Sequence, residues 1–214
     1  LRIAAMAAIN PESTTFQRSE AWTLLTSKGS VPWRQQWVPY GKISDHLKRA
    51  VIASEDDGFV NHEGVDWAAI EKAWERNAKA EAQVAKAQSR APKIRGGSTI
   101  TQQLAKNLLL SGERTLLRKG QEFVLTLLLE QILSKERILE IYLNNVEWGE
   151  GVFGAEAAAQ HYFKKSAAQL TPTDAARLAV MLPAPKRFEK TPGSAYLAGR
   201  TRTILGRMGS AELP

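Results

Sequence analysis

A chain of 214 residues, 43% of them hydrophobic, is long enough to bury a core and fits one domain. With no Cys and three scattered His (His46, His62, His161), a disulfide framework and a thiolate metal site are excluded, so any metal must be held by oxygen ligands. A net charge of +7 predicts attraction to polyanions, whether nucleic acid, anionic membrane or a phosphorylated substrate, and no stretch is apolar over the roughly 20 residues that a bilayer crossing takes.

The first residues, LRIAAMAAINP, read either as a short helix or as the end of a truncated membrane anchor. From Asn10 to Lys42 the pattern is irregular, with Pro11, Pro32 and Pro39 as breakers, so residues 1–42 are expected to wrap around the body of the fold. Trp33, Trp37 and Tyr40 lie among basic residues, which suits a membrane interface or packing on the core.

The stretch AVIASEDDGFVNHEG (50–64) is the most informative one in the chain. Ser44 is placed to cap a helix whose face carries Leu47, Val51 and Ser54, so Glu55 falls where that helix gives out into a loop. A carboxylate delivered by a rigid helix is a candidate general base. The competing reading is a solvated acidic run of Glu55, Asp56 and Asp57.

Asp66 caps a second expected helix with Trp67, Ile70 and Trp74 at helical spacing. It runs into an Ala-rich basic stretch, with seven Lys or Arg against two Glu between Lys72 and Arg95, too poor in large apolar residues to bury much. A mobile basic flap is therefore expected at about 78–96.

GGSTITQQLAKNLLL begins with two glycines, sets Thr99 and Gln102 at capping-box spacing, and puts Ile100, Leu104 and Leu108 on one face. The backbone N–H groups of such a helix start suit an anion, with Ser98, Thr99 and Gln102 as added donors. It is not a Walker loop, because Lys106 does not directly follow the glycines; it lies one turn beyond Gln102, and both can face one cleft.

Gly112 closes that helix and Thr115 caps the next, where Phe123, Val124, Leu127, Leu128 and Ile132 predict a central core helix. Arg118 and Lys119 stand four and three residues before Glu122, so two cations flank one carboxylate, as in an ordinary intrahelical ion pair.

Ser134 caps KERILEIYLNN, and the glycines at 149, 151 and 154 predict a tight excursion before the helix AEAAAQHYF. Thr171, Pro172 and Asp174 start a further helix with Ala176, Ala179 and Val180 inward, LPAPKRF ends it, and a basic helix follows from about 192 to 208. No alternating runs bounded by hairpin turns stand out. The chain is expected to be all-α, with at most a small hairpin near Val146 to Phe153.

Taken together, SEDDGFVNHEG, GGSTITQQLAKN, RKGQE, ILEIYLNNVEWGEGVFGAEAAAQHYF and LAVMLPAPKRF occur in the order and spacing of five motifs, from about Ile43 to Phe188. On these motifs the sequence resembles the peptidoglycan glycosyltransferases of family 51, and within it the monofunctional members, since no transpeptidase region follows.

The resemblance implies a bilobal, lysozyme-like helical domain over 43–214, with a small membrane-facing lobe. The implied reaction is polymerisation of lipid II with inversion and release of undecaprenyl diphosphate. By motif position Glu55 is the base and Glu122 the second glutamate, which holds a divalent cation (Mg²⁺ or Mn²⁺) or orients basic side chains. Lys106, Arg114, Arg118 and Lys119 surround the diphosphate, with Ser98, Thr99 and Gln102 as donors. Asp56, Phe59, His62 and Gly64 support the loop, and Tyr142, Asn144, Gly149, Gly151 and Gly154 are structural or acceptor-side. Gln121 stands where some members carry Lys. No organic cofactor is implied. The implied partners are lipid II with the growing glycan chain, the membrane surface, other wall-synthesis proteins and inhibitors with a phosphoglycerate head such as moenomycin, but no nucleic acid. The implied place is the bacterial inner (cytoplasmic) membrane, with the domain on the periplasmic or outer side.

Two other readings compete: a lytic, lysozyme-type muramidase with one proton-donating Glu, and, from the charge, a basic nucleic-acid-binding module. The first has no use for cations near Glu122, and in the second the acids at Glu55 would repel phosphates.

Overall fold

A computed structural model of the protein describes residues 2–67, 71, 98–110 and 116–214, so the expected flap at 78–96, the caps at Gly112 and Thr115, and Arg114 lie outside the described residues. The architecture is all-α. In chain order the helices are α1 (Arg2–Ala5), α2 (Thr15–Lys28), α3 (Asp45–Glu55), α4 (Ile100–Leu109), α5 (Leu116–Ile132), α6 (Lys135–Asn145), α7 (Ala155–Phe163), α8 (Pro172–Met181), α9 (Pro185–Glu189) and α10 (Ala195–Arg207).

The helix starts follow local chemistry. Ser44, Thr99, Ser134 and Thr171 each accept a backbone N–H from the first turn of α3, α4, α6 and α8, and Thr99 and Thr171 complete reciprocal boxes with Gln102 and Asp174. Helix α3 buries Leu47, Ala50, Val51, Ile52 and Ala53 against α8 and α10, where Ala175, Ala176 and Ala179 let the backbones approach closely. Helix α4 buries Ile100, Leu104 and Leu108 and packs on α2, α5 and α6.

Two expectations are overturned. The segment 10–42 is not irregular throughout, since α2 occupies its centre. That helix starts at a capping box between Thr14 and Gln17 and stops at Gly29, which takes the left-handed conformation (φ +68°). Its attachment is largely polar: Thr15 Oγ1 donates to Leu108 O (3.0 Å) and Gln17 Nε2 to Asn145 O (3.3 Å), with only Gln17 and Leu24 buried. Apolar periodicity is therefore a poor guide to it. Beyond it, Arg34–Gln35 adds itself as a parallel strand (β1) to the expected hairpin, Glu147–Gly149 (β2) with Val152–Phe153 (β3), in the order β1-β3-β2. Gly151 makes this possible, because a Cβ there would sit 1.6 Å from Pro32 O.

The aromatics of the wrapping segment pack on the fold. Trp33 lies on Phe153 at 4.6 Å between centroids, Arg137 sits over Trp37, and Lys48 Nζ lies 3.8 Å from the Tyr40 centroid.

Helix α5 is the second correction. Phe123, Val124, Leu127, Leu128 and Ile132, expected inside, are all exposed, and the side turned inward carries Glu122, Thr126, Leu129 and Leu133. The inward side mixes the polar Glu122 and Thr126 with the apolar Leu129, and Thr126 and Glu130 lie against Gly64. Among the described residues, no helix is long and apolar enough to cross a membrane.

Candidate active site

Glu55 is the last residue of α3, so its backbone is held by a buried helix while its half-buried side chain points past the end. Oε2 accepts a hydrogen bond from Gln103 Nε2 on α4 (3.0 Å), and Oε1 accepts one from Ser54 Oγ (3.3 Å). Burial pushes its pKa up. The bonds from Gln103 and Ser54 pull it back down, Asp56 adds to the rise, and Arg200 opposes it. The result is a carboxylate more basic than a surface Glu and held in one orientation, which fits proton acceptance.

Asp56 points the other way and ties the loop after α3 to the start of α4. Its Oδ2 accepts the Ile100 N–H (3.0 Å), and Oδ1 accepts from His62 Nε2 (2.7 Å). A ring that donates from Nε2 keeps Nδ1 as an acceptor, and Nδ1 takes the Gly64 N–H at 3.1 Å. The Gly64 carbonyl in turn accepts from Thr99 Oγ1 (2.6 Å), which closes the circuit. Gly64 has φ +82°, and a Cβ on it would lie 2.6 Å from Thr126 Cγ2, so glycine is required there. Phe59 is fully buried beneath the Lys135 ammonium, 4.6 Å from its ring centroid. Asp56, Phe59, His62 and Gly64 thus hold this loop in place, while Asp57 lies outside it and pairs with Arg207 at 3.1 Å.

The start of α4 is already satisfied from within. Asp56 takes the Ile100 N–H, Thr99 takes the Gln102 N–H, and Gln102 Oε1 takes the Thr99 N–H. Thr99 and Gln102 are buried in these bonds rather than open as donors to an anion, whereas Ser98 is exposed. The residue of α4 that reaches the Glu55 carboxylate is Gln103, which sequence reasoning passed over. The capping box accounts for Gln102, but nothing local in the sequence says where the neighbouring amide goes.

On α5, Glu122 is buried between cations, with Lys119 Nζ at 2.6 Å and Arg118 at 3.9 Å. Lys106 is exposed on α4, which packs directly on α5. Helix α4 therefore reaches Glu55 through Gln103 and packs on the helix that carries Glu122. Among the described residues no set of three or more His, Asp or Glu gathers to hold a metal. The partners of Glu122 among the described residues are the cations Lys119 and Arg118. Tyr142 is buried in α6, its hydroxyl on Gln103 Oε1 at 2.9 Å. Asn144 bonds the Val38 backbone on both its amide ends (2.9 Å each).

The transglycosylase family model matches residues 23–209. Biosynthetic peptidoglycan transglycosylases are similar over nearly the whole chain. That of Paraburkholderia xenovorans (strain LB400) is 55% identical over 100% of this chain and 85% of its own length. That of Herminiimonas arsenicoxydans is 58% identical over 96% of this chain and 84% of its own length, and that of Janthinobacterium sp. (strain Marseille) is 57% identical with the same shares covered.

Proposed function

The chain belongs to the transglycosylase family, and from that premise we propose that it polymerises lipid II into linear peptidoglycan strands with Glu55 as the base. The observation that carries this reading is the Glu55 carboxylate, set at a helix end with its basicity raised by burial and its orientation fixed by Gln103 and Ser54. The 4-hydroxyl of the acceptor N-acetylglucosamine attacks C1 of the donor N-acetylmuramic acid. Its proton passes to Glu55, the C1–O(phosphate) bond breaks, and undecaprenyl diphosphate leaves with the electron pair as the α linkage becomes β.

A diphosphate of low basicity needs neutralisation more than protonation. Lys106, Arg118 and Lys119, with Arg114 and the exposed Ser98, take that task, and Glu122 sets the pose of Arg118 and Lys119 through its two contacts. Thr99 and Gln102 are left to hold the helix start.

The outward apolar stripe of α5 belongs at the outer face of the cytoplasmic membrane, where the lipid donor resides. A stripe of Leu117, Phe123, Val124, Leu127, Leu128 and Ile132, on a helix that also exposes Lys119, suits the headgroup boundary better than open water. Incubation with purified lipid II tests the activity: glycan strands that lengthen with time are expected, and fragments released instead from sacculi would overturn it in favour of a lytic enzyme.

A further inference from the structure

We propose that Tyr142 is a positioning residue for this reaction: its buried hydroxyl decides which end of the Gln103 amide faces Glu55, and so keeps a hydrogen-bond donor against the carboxylate. The inference rests on the reading of Glu55 as the base.

Three side chains from three helices form a chain. Tyr142 of α6 is 1% exposed, and its hydroxyl lies 2.9 Å from Gln103 Oε1 on α4. Gln103 Nε2 lies 3.0 Å from Glu55 Oε2 at the end of α3. The direction of the chain follows from what each group can do. An ionised carboxylate only accepts, so the amide NH₂ must face it; the amide oxygen then faces Tyr142, and the phenol must donate. Burial, together with the charges of Glu55 and Asp56, pushes the Tyr142 pKa well above the ordinary value, so this donor persists at any pH at which an enzyme of this kind works.

A glutamine amide by itself has no such preference, because its two ends are nearly the same size and turning it over exchanges a donor for an acceptor. If its oxygen faced Glu55, two acceptors would meet, and the carboxyl would hold its proton to bridge them. Tyr142 opposes that arrangement, since its oxygen would then accept from the NH₂ group and its own buried hydrogen would lose the acceptor it has in Gln103 Oε1. The bond from Tyr142 also polarises the amide and strengthens the N–H it offers to Glu55. Around Glu55 the remaining influences are Ser54 and Asp56 beside it in the chain and Arg200 on α10, which packs against α3. None of these contacts Gln103 Oε1 among the described residues, so none replaces Tyr142 in orienting the amide.

The test uses the full chain with Tyr142→Phe, which removes one oxygen and keeps the ring. Two readouts are taken: the rate of lipid II polymerisation against pH, and the titration of the Glu55 carboxyl carbon by ¹³C NMR, assigned by its loss in Glu55→Gln. Both midpoints should move to higher pH, with the rate on the acid limb falling about three- to tenfold and recovering toward alkaline pH. Gln103→Leu should shift the Glu55 titration by itself, and adding Tyr142→Phe to it should shift nothing further, because Tyr142 acts through Gln103. Should Tyr142→Phe fail to fold, replacement of the tyrosines by 3-fluorotyrosine keeps the shape and offers a stronger donor; the Glu55 titration should then move to lower pH. An unchanged titration in either form, or additive shifts in the double variant, would overturn the proposal. A titration that moves while the pH–rate profile stays put upholds the contact and overturns Glu55 as the base.

Discussion

Glu122 and Phe123 are adjacent on α5, yet the glutamate is 3% exposed and the phenylalanine 38%. The face of this helix that turns into the protein carries Glu122 and Thr126 beside Leu129, while a largely apolar face turns out, against the usual pattern for a soluble helix. The inversion is stable because Lys119 and Arg118 lie beside the buried carboxylate. It leaves Leu117, Val124 and Leu128 open on the surface.

Changing Val124 and Leu128 together to Gln should lower partition onto anionic lipid vesicles by about tenfold or more, since each side chain removes several CH₂-sized groups from the interface. Both residues are exposed, at 55% and 43%, so Tm should move by less than about 2 °C. Co-sedimentation and thermal unfolding check the pair, and a large fall in Tm would mean that the stripe is covered in the native protein.

Glu55→Gln keeps the volume and removes the proton acceptor. Polymerisation should fall by about 10²- to 10⁴-fold, with lipid II binding within a few-fold of the parent. Rates with labelled lipid II, alongside an equilibrium binding measurement, separate the two; turnover near that of the parent would remove Glu55 from its role.

Gly64→Ala forces a side chain into φ +82° and against Thr126 and Glu130. A loss of about 1–3 kcal/mol is expected. Gly64 also binds His62 and Thr99, so the loop after Glu55 is displaced and the rate should fall at temperatures where the chain stays folded. Denaturant unfolding and activity at low temperature measure the two effects.

Glu147 sits in β2 with one oxygen 3.4 Å from Lys186 Nζ and no hydrogen bond on it. Burial pushes its pKa from an ordinary 4.5 up to about 7, against the pull of Lys186. A carboxyl whose folded pKa lies above its unfolded value favours the fold most when protonated. Its contribution is complete below about 4.5 and is lost as pH rises through about 7. Glu147→Gln should flatten this part of the Tm–pH curve, leaving the variant more stable relative to the parent at pH 8 than at pH 4; an unchanged slope would contradict the assignment.

Much of the molecule was legible along the chain because its signals are local. The caps at Ser44, Thr99, Ser134 and Thr171, the end of α3 at Glu55 and the pairing of Lys119 with Glu122 depend on neighbours within four residues, where side-chain chemistry and helical spacing suffice. Tertiary structure alone decided three matters. It turned the apolar face of α5 outward, gave α2 a polar seat on Leu108 and Asn145, and brought Gln103 rather than Gln102 to Glu55 under the hydroxyl of Tyr142. In each, the deciding partner lies tens of residues away in sequence. A periodic pattern says that a helix has two unlike faces, but which face is buried follows from what the rest of the chain packs against it.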